Sequence, residues 1–366
     1  MSVEVQCRAM VLAAGFGERL RPITNQTPKP LIPVINCPII EHNLSLLAKA
    51  GVRDVVINLH HLGDRIKKAL GDGSQFGLVL HFLHEETILG TGGGIRNAAN
   101  ILAGGPIVVI NGDILIDIDL RDVIAFHHTE QAFATMVLKQ PFVSKLYQPV
   151  EFDERQIIHR VAGKPEGEAS PRLQEAIFTG VHVFDPEVLE YIPPKIYLCI
   201  NSEIYPKLIR SGKKISAYLL DQERYWVDIG TVERFFAANM EIMANKRSFE
   251  QIDPLRHYAS GGVKTTGLLA RLGDEIKLAT NVQLVPPFAI GHRCNIKSGT
   301  QIGPFAIIGD DCVVGKNSHV SNSIVWRGTK LSDETQLKSA ISFAAKDGNG
   351  VIYVDRTNAV TSSSPE

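Results

Sequence analysis

Cysteine is scarce and scattered. There are five in 366 residues (Cys7, Cys37, Cys199, Cys294 and Cys312), and no two form a C-x-x-C pair. That pattern supports neither a disulfide framework nor a zinc site. A run of about 18 apolar residues is also missing, so no membrane-spanning helix is expected. The start, with Glu4 and Arg8 ahead of a strand-like segment, lacks the order of a secretory signal. An excess of one charge is absent too. Lys plus Arg is 38 against 39 Asp plus Glu, a net charge of −1. Binding to nucleic acid through bulk positive charge is therefore not supported. The expectation is a protein of a reducing cytoplasm with neither a nucleic-acid nor a membrane partner. A phosphate ligand stays open, because it needs only a few cations in one place.

The 44% hydrophobic and 21% charged content is that of a folded chain, and its length suits two domains. Residues 8–14 form a mostly apolar run ended by Gly15-Phe16-Gly17, which reads as a buried strand entering a glycine loop. Residues 38–49 show helical spacing closed by Gly51. Residues 54–59, 78–83 and 106–110 read as further strands, and 92–102 as a helix opened by glycines. Strands alternating with helices predict an α/β layer around a largely parallel sheet.

From Leu284 the rhythm changes. Leu284, Ile290, Ile296, Ile302, Ile308, Val314 and Val320 recur every six residues, with glycine following at 291, 303, 309 and 315. Six fits neither a helix nor one long strand. It fits the short sides of a parallel β-helix, in about three or four coils. The expected organisation is an α/β domain over 1–245, a linker over 246–278, a β-helix over 279–345 and a loose tail over 346–366.

The chemistry-bearing segments lie in the first domain. Residues 11–34 read VLAAGFGERLRPITNQTPKPLIPV. Gly15 and Gly17 bare the backbone N–H groups to an anion, Arg19 and Arg21 add fixed charge, and Lys29 stands between two prolines. No Gly-Lys-Ser/Thr follows, and Leu20 stands where a dinucleotide loop has its third glycine. A second loop, Gly90-Thr91-Gly92-Gly93-Gly94, opens a helix. Asp113 ends a buried strand after Asn111-Gly112, placed to hold Mg²⁺. Asp117 and Asp119 read as helix-capping or surface charges. Asp228 lies in Trp226-Val-Asp-Ile-Gly-Thr before a helix, where a capping role is the alternative.

These segments, in this order over about residues 8–240, resemble the sugar-1-phosphate nucleotidyltransferases. The resemblance implies a Rossmann-like α/β domain with an appended left-handed β-helix. It implies that Leu12, Ala13 and Ala14 lie near base and ribose, that Gly15, Gly17 and Arg19 meet the phosphates, and that Lys29 meets the reacting phosphate. It makes Gly90, Thr91 and Gly92 the base-recognition loop. Glu85 or Glu86 falls near the position where pyrimidine-selective members often carry Gln. It matches Asp113 and Asp228 to the metal carboxylates. Gly163-Lys164-Pro165 looks like the family's Glu-Lys-Pro with Gly163 in place of Glu, so Lys164 is expected on the sugar phosphate. Glu175, Thr179 and Gly180 resemble the sugar-binding strand, and Asn201 is expected near the sugar or as a helix cap.

The implied reaction joins an NTP to a sugar 1-phosphate and releases pyrophosphate, with Mg²⁺ as cofactor. A carboxylate only accepts hydrogen bonds, and guanine offers two adjacent donors where uracil offers one. That points to GTP. The His84-Glu85 and Leu89-Gly90-Thr91 stretch looks closest to GTP-using members of the family, which implies a mannose or heptose phosphate. UTP or dTTP with a glucose-type phosphate is the alternative. A hexapeptide acyltransferase using His292 or His319, and a non-catalytic assembly subunit, are the rival functions. The β-helix is expected to support a homo-oligomer.

Overall fold

A computed structural model describes residues 7–142, 147–166, 172–244, 248–258, 268–345, 348–354 and 360–363. The chain divides into two compact units. The first holds Met1–Leu31, Ile39–Val227 and Phe249–Ile252. The second holds Ile32–Pro38, Asp228–Ser248 and Asp253–Glu366.

The first unit is built on a nine-stranded mixed sheet. Four strands are parallel, in the order Val79–His84, Asp54–Leu59, Arg8–Leu12, Ile107–Asn111. Ala9, Met10, Val11, Val55, Val56, Ile57 and the run from Ile107 to Ile110 are fully buried. That is why these strands read as unbroken apolar runs rather than alternating ones. The helices Ile39–Lys49 and Gly63–Leu70, and the pair Gly90–Asn97 and Ala99–Leu102, connect them. The expected single helix over 92–102 is thus two, starting at Gly90.

Starting from Arg8–Leu12, the chain adds two strands on one side and the next parallel strand on the other. The order therefore reverses between Arg8–Leu12 and Ile107–Asn111. In open α/β sheets the crevice at such a reversal, outside the carboxyl ends of the strands, is where ligands bind. Gln174–Phe184 runs antiparallel to Ile107–Asn111 and carries the sheet onward to Ala134–Lys139. Its register to the latter shifts between Phe178 and His182, which brackets Gly180.

In the second unit, short strands stack in three parallel columns. Ile290, Ile296, Ile302, Ile308, Val314 and Val320 are fully enclosed, so the sixth-residue aliphatics form the core. Stacked partners are 18 residues apart at Phe288 and Ala306 but 17 apart at Ala306 and Ser323. One corner has lost a residue, which ends the strict period after Val320. The coils begin earlier than expected. Ala270–Leu272 and Lys277–Leu278 form the first coil, inside the stretch assigned to a linker. Leu272 and Leu278 continue the six-residue phase, but Leu278 is exposed. The tail also departs from expectation. Ala340–Ala345, Gly348–Val354 and Val360–Ser363 pair antiparallel and cover the edge of one column, which would otherwise present bare backbone groups. Other parts of the expected linker (residues 246–247 and 259–267) and tail (346–347, 355–359 and 364–366) lie outside the described residues.

Candidate active site

The reversal point collects the glycine loop and Asp113 at neighbouring strand ends. Leu12 pairs with Asn111 in register, and Gly112 N–H donates to the Leu12 carbonyl at 2.9 Å. A Cβ on Gly112 would lie 2.7 Å from that carbonyl oxygen, so glycine lets the two chain ends touch. Ala13 and Ala14 follow, both buried.

Gly15 and Gly17 differ in kind. Gly17 has φ +65°, and a Cβ there would stand 2.8 Å from Thr24 Cγ2. The fold itself demands that glycine, and Thr24 Oγ1 donates to its carbonyl at 2.9 Å. Gly15 is exposed, and nothing among the described residues lies within 4 Å of a Cβ built on it. Neither packing nor a left-handed backbone accounts for it. Its backbone is open to close approach.

Lys29 follows Pro28 and opens a short 3-10 turn, Lys29–Leu31. Its ammonium pairs with Asp113, and the two side chains are 14% and 27% exposed. An acceptor carboxylate and a mostly enclosed ammonium thus meet just beyond the carboxyl end of Ile107–Asn111. Arg19 is exposed and has no partner among the described residues. Lys164 is exposed as well. Its backbone closes a turn with Val161, while its side chain has no partner among the described residues. Glu175 is exposed at the start of its strand.

Other expected site residues have protein partners. Thr179 is buried and its hydroxyl donates to the Val137 carbonyl at 2.8 Å, so it fastens the irregular stretch of its strand. Gly180 has φ +94°, and a Cβ there would meet Asn111 Nδ2 at 2.8 Å. Thr91 Oγ1 accepts the Ile200 N–H at 2.9 Å, and Gly92 N–H donates to the Leu198 carbonyl at 2.9 Å. Gly90 and Gly92 likewise face Leu198, so the glycine-rich helix start is close-packed on the 198–200 segment. Asn201 lies in the π-turn Ile200–Ile204, and its Oδ1 is buried without a hydrogen-bond partner among the described residues.

Glu85 is enclosed, only 2% exposed. Oε1 accepts from Asn58 Nδ2 at 2.7 Å, and Oε2 accepts from the Leu89 N–H at 3.0 Å. Asn58 Oδ1 in turn accepts the Ala13 N–H at 2.8 Å. Asn58 had one signal in the sequence: it is the polar residue inside the apolar strand Asp54–Leu59. Asp117 is also buried, not a surface charge or a cap. It accepts N–H groups of Glu250, Gln251 and Ile252 and pairs with Arg224, while Asp119 caps the helix Leu120–Thr129.

In the second unit, both oxygens of Asp228 accept from Arg234 Nη1 at 2.6 Å, and Oδ1 also accepts the Gly230 N–H. Thr231, not Asp228, caps the following helix. His292 accepts the Asp274 N–H at Nδ1 and so donates from Nε2 to the His257 carbonyl at 3.0 Å. Both ring nitrogens are engaged, which removes His292 as a free base for acyl transfer.

The nucleotidyl transferase family model matches residues 8–245. A UTP–glucose-1-phosphate uridylyltransferase of Synechocystis sp. is 32% identical across 96% of this chain and 89% of its own length. A mannose-1-phosphate guanylyltransferase of Mycobacterium tuberculosis is 33% identical over 65% of each chain. The structure of HddC from Yersinia pseudotuberculosis complexed with GMP-PN superposes with a TM-score of 0.54 at 21% identity. It covers 65% of this chain and all of that one, and shows the fold alone. With its sheet reversal, its paired Lys29 and Asp113 and these likenesses, the chain belongs to the nucleotidyl transferase family, among the sugar-1-phosphate nucleotidyltransferases.

Proposed function

We propose that the protein transfers a nucleotidyl group from an NTP to a sugar 1-phosphate, with release of pyrophosphate. The observation that carries this reading is the strand-order reversal. Gly15, exposed and open at its Cβ position among the described residues, follows one of the two strands at that reversal, and Asp113, paired with Lys29, follows the other. An oxygen of the sugar phosphate attacks the α-phosphorus as the bond from that phosphorus to the bridging oxygen breaks, and pyrophosphate departs with that oxygen. The nucleophile is already anionic, so no general base is needed. The barrier lies in aligning polyanions and neutralising their charge.

The roles follow from exposure and charge. Arg19, exposed and without a protein partner among the described residues, steadies the departing pyrophosphate. Lys29 neutralises the reacting phosphate, and Lys164 holds the acceptor phosphate. Asp113 offers a hard oxygen donor and fits Mg²⁺, which when bound neutralises and braces phosphate oxygens. Asp228 is the second proposed metal carboxylate, and Arg234 would have to share it. Glu175, Thr179, Gly180 and Asn201 form the sugar side, with Thr179 acting through the backbone it fastens.

GTP with a mannose-type phosphate is the first substrate reading, in line with the guanylyltransferase relatives. UTP with glucose 1-phosphate is the second, because the uridylyltransferase aligns across nearly the whole chain. Pyrophosphate release from GTP, UTP, dTTP and ATP against mannose and glucose 1-phosphates tests both. Turnover dependent on one pair supports the proposal. No release from any pair, by folded protein with Mg²⁺, overturns it.

A further inference from the structure

Glu85, Asn58, Ala13 and Leu89 form one hydrogen-bonded chain whose polarity is fixed at both ends. Ala13 and Leu89 contribute backbone N–H groups, which can only donate. The Ala13 N–H forces Asn58 to turn its oxygen toward the glycine loop and its amide NH₂ toward Glu85. Glu85 therefore receives donors from two sides, and only a side chain that accepts at both of its heavy atoms satisfies them. Glu85 and Asn58 are almost wholly enclosed, so water does not replace a lost partner. Gly94 leaves the space this pair needs: a Cβ there would lie 2.9 Å from Asn58 Nδ2 and 3.0 Å from Glu85 Oε1.

The chain ties three segments together. They are the start of the nucleotide loop at Ala13, the carboxyl end of the strand Asp54–Leu59, and the residue ahead of the helix Gly90–Asn97. Resting on the nucleotidyl-transfer reading, we infer that Glu85 is a positioning residue that acts through Asn58 to set the nucleotide loop against the glycine-rich helix, and not a residue that reads the base. Base preference is then set elsewhere in the site.

The polarity argument makes a sharp demand. In Glu85→Gln the new NH₂ faces either Asn58 Nδ2 or the Leu89 N–H, so donor meets donor in both orientations. In Asn58→Asp two carboxylates face each other. Combining the two substitutions restores every bond. The introduced aspartate would accept from the Ala13 N–H and from the NH₂ of the introduced glutamine. The oxygen of that glutamine would accept from the Leu89 N–H.

The test compares wild type, both single variants and the double swap, by steady-state pyrophosphate release and by hydrogen exchange of peptides covering residues 12–17 and 86–90. Each single variant is expected to raise KM for the nucleotide on the order of tenfold or more, equally for GTP and UTP. KM for the sugar phosphate stays unchanged, and exchange at both peptides speeds up. The swap returns nucleotide KM to within roughly threefold of wild type and slows exchange again. A swap as impaired as Glu85→Gln overturns the inference. So does a Glu85→Gln variant that changes the GTP-to-UTP preference while exchange stays slow. A wild type without turnover on any pair refutes the proposed function, and the exchange measurements still decide whether this chain braces the loop.

Discussion

Replacing Gly15 and Gly17 one at a time separates a glycine kept for the fold from one kept for a ligand. At Gly17, alanine meets two costs. Its left-handed backbone disfavours a Cβ by about 1–2 kcal/mol. Contact with Thr24 adds overpacking of about 1–3 kcal/mol. The sum of about 2–5 kcal/mol corresponds to a melting temperature lower by roughly 4–20 °C in a unit of this size. At Gly15 the Cβ enters open space, so stability stays within about 0.5 kcal/mol of wild type. If a phosphate packs on the bare backbone there, the methyl group overpacks the complex instead. Its cost of about 1–3 kcal/mol raises KM for the nucleotide by roughly 5- to 150-fold. Thermal melting of the unliganded variants and pyrophosphate release at varied nucleotide read the two quantities. A Gly15→Ala variant that melts as early as Gly17→Ala, or that keeps the wild-type nucleotide KM, refutes the reasoning.

Arg19→Ala and Lys164→Ala remove exposed cations that have no partner among the described residues. Melting temperatures are expected to hold while kcat/KM falls roughly 10- to 150-fold per variant, the loss of about 1.5–3 kcal/mol for a charged hydrogen bond. Lys164 is read in KM for the sugar phosphate and Arg19 in KM for the nucleotide. Asp113→Asn is expected to fold and to lose most Mg²⁺-dependent turnover, whereas wild-type pyrophosphate release by that variant excludes Asp113 as the metal carboxylate. His182 is buried among Phe178, Phe184 and Tyr205, and burial pushes its pKa down to about 3. The neutral form is the folded one. Its stabilisation is complete above the unfolded value near 6.5 and is lost as pH falls from there toward 3, by about 1.4 kcal/mol per unit. Denaturant titrations at pH 7 and pH 5 should therefore show about 2 kcal/mol less acid destabilisation in His182→Phe than in wild type, and equal losses in the two proteins exclude His182 as a source.

What the sequence disclosed were requirements that a short segment states by itself. The six-residue aliphatics, the strand entering Gly15, and Asp113 behind a glycine each have a local reason, and the structure keeps all three. What it concealed were partnerships set by distant chain. The Asn58 partner of Glu85 lies 27 residues away. The backbone donors that enclose Asp117 lie 133 to 135 residues away. A carboxylate near a glycine loop reads as a ligand-facing acceptor until its burial is known, because residue type alone does not say which donors reach it. The glycines show the same limit. Gly90, Gly92 and Gly94 signalled close approach, yet what approaches them is Leu198 and the Asn58–Glu85 pair, whereas Gly15 is approached by nothing among the described residues. The sequence could announce bare backbone but not its purpose. The space around each Cβ separates the two loops: the second is packed on Leu198 and the Asn58–Glu85 pair, while the first is open at Gly15 among the described residues.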